Sequence, residues 1–185
     1  MIDVNQLRKG VTFEMDGELY RVLDYQHYKP GRGNAIIRTR LRNLRSGTTL
    51  DKNFVSGERV QDIRLDHQTV QYLYHDGDLY YFMDTETYEQ PSLSAELLGE
   101  AVDYLTDGLT LELSTYEGEP IDIELPVTVE LGVVEAPPGY AGDTATSATK
   151  QVTLETGLKV QVPLFVEEGD RIRVDTRTGE YLTRV

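Results

Sequence analysis

Alternation of apolar and polar residues with a period of two runs through nearly the whole chain, and it confines the protein to an all-β fold. Thr12-Phe13-Glu14-Met15 and Ala35-Ile36-Ile37-Arg38-Thr39-Arg40-Leu41 are typical runs. Asp16-Gly17, Gly31, Gly33, Ser46-Gly47, Asp76-Gly77 and Glu117-Gly118 punctuate them. Short strands with turn residues at this spacing predict small barrels or sandwiches. One segment departs from the pattern. From Ser94 to Thr106, Leu97, Leu98, Ala101, Val102 and Leu105 fall at helical spacing behind a candidate N-cap at Ser94. Gly99 interrupts them, so the expectation is a short helix or a single turn of one.

The strands also repeat. Gly108 to Ile121 aligns without gaps on Gly169 to Leu182, pairing Leu111 with Ile172, Leu113 with Val174, Thr115 with Thr176, Gly118 with Gly179 and Glu119 with Glu180. Each copy reads as a strand, a tight glycine turn and a second strand, which predicts two related small barrels. The expected division is 1–63, 64–126 and 127–185. Units this small bury modest cores, so the surfaces between them matter for stability. No Gly/Ser-rich linker separates them, which predicts close docking.

A net charge of −14 argues against a nucleic-acid partner until its distribution is considered. Residues 1–63 carry 11 basic and 8 acidic side chains, a balance of +3; residues 64–126 carry Arg64 against 15 carboxylates, or −14; residues 127–185 stand at −3. Between positions 25 and 50 there are six cations (Lys29, Arg32, Arg38, Arg40, Arg42 and Arg45) and no acid. Such asymmetry predicts a nucleic-acid face in the first third. Cysteine is absent, which removes disulfides, thiolate metal sites and a cysteine nucleophile. The first residues lack the apolar stretch of a secretory signal, and no segment is apolar over the length that spans a bilayer. The expectation is a cytoplasmic protein, a monomer, with no membrane partner, metal or cofactor.

The site that carries chemistry is Tyr28-Lys29-Pro30-Gly31-Arg32-Gly33-Asn34, a tip loop over 28–34 between two strand-like runs. Pro30 fixes φ, while Gly31 and Gly33 allow turn conformations closed to other residues. The loop should hold Arg32 outward. Its planar guanidinium is permanently charged and suits phosphate and base stacking alike.

These residues resemble those of bacterial elongation factor P. Lys29-Pro-Gly-Arg-Gly-Asn-Ala followed by Arg38-Thr-Arg-Leu-Arg-Asn-Leu is similar to that family's tip and the strand after it. The likeness continues through Phe82-Met-Asp-Thr-Glu-Thr-Tyr-Glu-Gln90, Gly142-Asp-Thr144, Val160-Gln-Val-Pro-Leu-Phe165 and Arg173-Val-Asp-Thr-Arg-Thr-Gly-Glu-Tyr181, so it covers essentially the whole chain. It implies an SH3-like, KOW-type barrel and two OB-fold barrels in an L-shaped, tRNA-like arrangement. It implies binding to the 70S ribosome (23S rRNA and ribosomal proteins) beside peptidyl-tRNA, and relief of stalling at consecutive prolines. Lys29, Pro30, Gly31, Arg32 and Gly33 would face the CCA end, and Arg38, Arg40, Arg42 and Arg45 would form the basic RNA-facing strand. Gly142, Asp143, Thr144, Tyr181 and Arg184 match positions near the ribosome and mRNA. Many members carry an extended lysine at the tip and others an arginine, in some cases rhamnosylated by a modifying enzyme. Arg32 lacks the amine that lysine extension needs; rhamnosylated and unmodified states both stay open.

Rival readings are an enzyme, a generic OB/KOW RNA-binding protein, and the paralogous elongation factor P-like protein. His27, His67 and His75 are the only histidines, and no catalytic or nucleotide motif accompanies them. A generic single-strand binder needs basic, aromatic-rich OB faces, whereas the middle third is acidic. The intact tip argues against the paralogue.

Overall fold

The computed structural model describes residues 1–139 and 148–185. Its sixteen strands form three antiparallel sheets in chain order. The first holds β1 (Ile2–Asp3), β2 (Thr12–Met15), β3 (Glu18–Tyr28), β4 (Ile36–Asn43), β5 (Thr49–Val55) and β6 (Arg59–Asp62), arranged β1-β6-β2-β3-β4-β5. The second holds β7 (Asp66–Asp76), β8 (Leu79–Asp84), β9 (Ser92–Ser94), β10 (Thr110–Tyr116) and β11 (Glu119–Glu124), arranged β11-β10-β7-β8-β9. The third holds β12 (Thr128–Glu135), β13 (Thr149–Leu154), β14 (Lys159–Pro163), β15 (Arg171–Asp175) and β16 (Tyr181–Arg184), arranged β14-β13-β12-β15-β16. The all-β expectation holds, with one sheet in each successive third of the chain.

Read from the other edge, the third sheet has the order of the second with each strand replaced by its counterpart. The repeat reaches into hydrogen bonding. Tyr72 N–H donates to Leu109 O and Gly108 N–H to Tyr72 O. Sixty-one positions on, Val133 N–H donates to Asp170 O and Gly169 N–H to Val133 O. The β7–β8 register slips between Tyr72 and Tyr74, and the β12–β13 register between Val133 and Glu135. The paired repeat positions Leu111/Ile172 and Leu113/Val174 are all buried.

Each sheet covers its own core. Phe13, Val22 and Leu41 fill the first, Val70, Phe82 and Leu113 the second, and Leu131, Leu154 and Ile172 the third. The helical segment does what its spacing predicts, in two pieces. Ser94 Oγ accepts from Leu97 N–H at 3.3 Å and starts a helix at Ala95–Leu98. Gly99, at φ +57°, then breaks it, and a tight 3-10 turn continues over Gly99–Tyr104.

Two seams join the units. Leu19, Leu44 and Ile121 are buried together between the first and second, with Ile63, Leu65 and Tyr116 packed around them. Tyr104 leaves its own unit and buries its ring in the third core, while Leu109 and Leu125 touch the second and third cores at once. Thr156 Oγ1 donates to Asp103 O at 2.6 Å beside it.

Two carboxylates tie down turns. Asp84 accepts from the backbone N–H groups of Glu86 (2.8 Å) and Thr87 (3.0 Å), and these bonds hold its carboxyl below the usual carboxylate range. Asp175 is lowered chiefly by hydrogen bonds from the Arg177 side chain and backbone. A depressed native pKa adds stability that is present above the unfolded value and lost as pH falls through the native one. Unfolding midpoints in urea should therefore be flat near neutrality and drop below about pH 4. Asp84→Asn should shrink that acid-side drop.

Candidate nucleic-acid interface

β3 and β4 pair from Tyr20↔Asn43 out to Tyr28↔Ile36, and β5 runs beside β4 as far as Ile36↔Val55. In the inner half of β3 Leu19, Tyr20 and Val22 are buried, but Asp24 through Tyr28 are exposed. At about 3.3 Å per residue, the ribbon's outer end projects well beyond the core. Residues 29–35 close it, so the tip stands on a stiff three-stranded base.

Within that loop the two glycines differ. Gly33 has φ +98°, whereas Gly31 keeps an ordinary negative φ, so only Gly33 uses the left-handed freedom predicted for both. No atom lies within 4 Å of an added Cβ at either position. Gly33→Ala should therefore shift the loop through backbone strain, and Gly31→Ala should leave it in place. Backbone-amide NMR shifts of residues 28–36 would separate the two.

Arg32 is exposed, and among the described residues no ion pair involves it. Below it the Arg38 guanidinium lies 4.7 Å from the centre of the Tyr28 ring, and on the other face Arg8 lies 5.2 Å from the Tyr25 ring. Such stacking holds a cation with its donors free for phosphate. Tyr28 opens the tip loop expected from the sequence, whereas Tyr25 is an addition from the structure; its place on the exposed outer end of β3, next to the loop, is the signal in the sequence that points to it.

The four arginines predicted on one basic strand divide. Arg38, Arg40 and Arg42 alternate on the outward face of β4. Arg38 and Arg40 are exposed, Arg40 standing in register between Asp24 and Asp51. Arg42 instead donates to Leu97 O at 2.6 Å, and Arg45 donates to Gly17 O and lies 3.5 Å from Glu119. Arg21 joins them, paired with Asp122 at 2.5 Å. Three arginines of the first unit are thus spent on the second. The exposed Arg45–Glu119 pair is worth at most about 1 kcal/mol. Arg42 makes a hydrogen bond to a carbonyl, and the mostly buried Arg21–Asp122 pair offsets its Coulomb attraction with desolvation. Burying Leu19, Leu44 and Ile121 contributes roughly 1.5–3 kcal/mol apiece. The apolar seam dominates adhesion, and the arginines set its registry.

In the third unit, Tyr181 packs partly buried against the core. Arg184 lies 4.9 Å over the exposed Phe165 ring and 3.7 Å from Asp170. Gly142, Asp143 and Thr144 lie outside the described residues. No helix among the described residues is long and apolar enough to cross a membrane.

Family models agree with this arrangement along the chain. The elongation factor P KOW-like domain matches residues 3–60, the elongation factor P OB domain residues 65–123, and the elongation factor P C-terminal domain residues 129–184. Elongation factor P from Moorella thermoacetica is 53% identical over 184 residues, and that from Thermoanaerobacter sp. 48% identical over 185; each alignment covers 100% of both chains. Among solved structures, eukaryotic translation initiation factor 5A from Methanococcus jannaschii superposes with a TM-score of 0.54 at 24% identity, covering 67% of this chain and 91% of that one. That last likeness is one of fold.

Proposed function

The chain belongs to the elongation factor P family, and on that premise we propose that it binds the ribosome beside peptidyl-tRNA and stimulates peptide bond formation at consecutive prolines through the Arg32 tip. The observation that carries this reading is an unpaired, exposed arginine at the end of a projecting three-stranded ribbon, with Lys29 beside it and Arg38 stacked beneath. Proline lacks a backbone N–H and has a fixed φ, so it aligns poorly at both ends of the new bond. A cation held against the CCA end restrains the peptidyl-tRNA, and restraint of that kind lowers the entropic part of a barrier by several kcal/mol, roughly. The bond-forming chemistry stays with the ribosome, so the chain acts by positioning and not as an enzyme. Arg38 and Arg40 supply the flanking RNA contacts, with Gly142, Asp143, Thr144, Tyr181 and Arg184 serving the far end. Residues 1–63, 64–126 and 127–185 act as three units in this scheme.

The test is a reconstituted translation reaction on paired reporters, one encoding consecutive prolines and one without them. Adding the purified chain should raise full-length product from the first and leave the second unchanged. Equal effects on both would overturn the reading. Intact-mass measurement of protein from its native host would separate an unmodified Arg32 from a glycosylated one.

A further inference from the structure

Outside the tip, the least expected surface lies on the acidic second unit. Val70, Tyr72 and Phe82 turn one face of β7 and β8 into the core. The opposite face carries Tyr74 and Tyr81, which pair directly across the two strands and stack with ring centroids 4.8 Å apart and planes 21° from parallel. Leu79 follows on the same face by alternation. Tyr74 is 52% exposed and Leu79 42%. A stacked tyrosine pair extended by a leucine, left in water on a sheet face, is the composition of a protein-recognition surface rather than of a solvated one.

Charge says what it recognises. Asp76 stands opposite Leu79 and two positions along from Tyr74, and the exposed Asp78 closes the same hairpin. From Leu65 to Thr149 the chain contains no lysine or arginine. Among the described residues no Lys or Arg stacks on either tyrosine ring, and the local field repels phosphate. The same unit already accepts guanidinium groups from outside itself: Asp122 takes Arg21, Glu119 lies beside Arg45, and Leu97 O takes Arg42. Those contacts use the β11 edge and the helix. The Tyr74–Tyr81 face, with its own carboxylates and open rings, has no such partner among the described residues.

We propose that this face docks an extended arginine- or lysine-rich segment of another protein, its cations over the tyrosine rings and on Asp76 and Asp78, its aliphatic stems along Leu79. Nucleic acid is the competing occupant, because stacked aromatics also take bases. The uninterrupted acidity disfavours it.

Three probes titrated into the full chain decide the matter: a synthetic arginine-rich peptide, a glutamate-rich peptide of equal length, and a single-stranded oligonucleotide. Backbone-amide NMR shifts report where each binds. The arginine-rich peptide should shift the amides of β7 and β8, and the other two probes should not. Tyr74→Ala with Tyr81→Ala should weaken it at least tenfold, and so should Asp76→Asn with Asp78→Asn, a pair of exposed changes that leaves the aromatic face intact. Glu167→Gln with Glu168→Gln removes the same charge from the third unit and should leave affinity unchanged. Shifts spread evenly over the acidic surface, equal weakening by the charge-matched control, or oligonucleotide binding at Tyr74 and Tyr81 would each overturn the proposal.

Discussion

Arg32→Ala is expected to remove the stimulation of proline-rich synthesis while leaving the thermal unfolding transition where it was. Nothing in the fold leans on this side chain: it is exposed, and among the described residues it enters no ion pair. Surface changes of this kind usually stay within about 0.5 kcal/mol of the parent stability. Its proposed work lies entirely at the partner. Losing a charge-assisted contact to RNA should cost roughly 1.5–3 kcal/mol, or about 10- to 100-fold in the stimulated rate. Arg32→Lys is the informative companion. It keeps the charge and loses the planar fork, so it should recover part of the rate if charge matters most and little if the fork does. The measurement is product formation on the paired proline reporters. A wild-type rate from Arg32→Ala would remove the tip from the mechanism.

Phe13→Ala should do the reverse, destroying the scaffold without touching the tip. Phe13 is fully buried, its ring 5.8 Å from Tyr20 and 6.2 Å from Phe54. Truncating a buried phenylalanine costs about 3–5 kcal/mol through lost transfer energy and the cavity left behind. A small domain has only about 5–15 kcal/mol in total. The urea midpoint should fall sharply, and proteolysis should open the first unit before the others. Activity should fall with it, but cooling or a stabilising osmolyte should restore it in Phe13→Ala and not in Arg32→Ala. An unchanged urea midpoint would mean that the ring does not carry the first core.

The parts legible in the sequence were those set by local chemistry. The period of two showed which residues of β4 share a face, Ser94 marked the helix start, and the 61-residue shift foretold a topology shared even to its register slips. The parts that stayed hidden depend on what lies across a gap. Alternation puts Arg38, Arg40 and Arg42 on one face, but it does not say that the second unit covers the end of that face holding Arg42. The charge map held this information in another form. A segment at +3 followed by one at −14 is a reason for the two to attract each other, as well as a sign of an RNA face. The difference between Gly31 and Gly33 was likewise invisible, because composition permits a positive φ without requiring it.

The seam of Leu19, Leu44 and Ile121 sits at the near end of β3, and Arg32 lies just past its far end. Eleven residues of strand make a lever of roughly 35 Å between them. A rotation of about 5° at the seam would carry the tip sideways by roughly 3 Å, and misplacement by about 1 Å already costs heavily in a positioned reaction. Under the proposed role of the tip, a displacement of about 1 Å corresponds to about 2° at the seam on the same geometry. Arg21, Arg42 and Arg45, directional ties added to an apolar contact that has no preferred direction of its own, act as the bracing that keeps a long pointer on its mark.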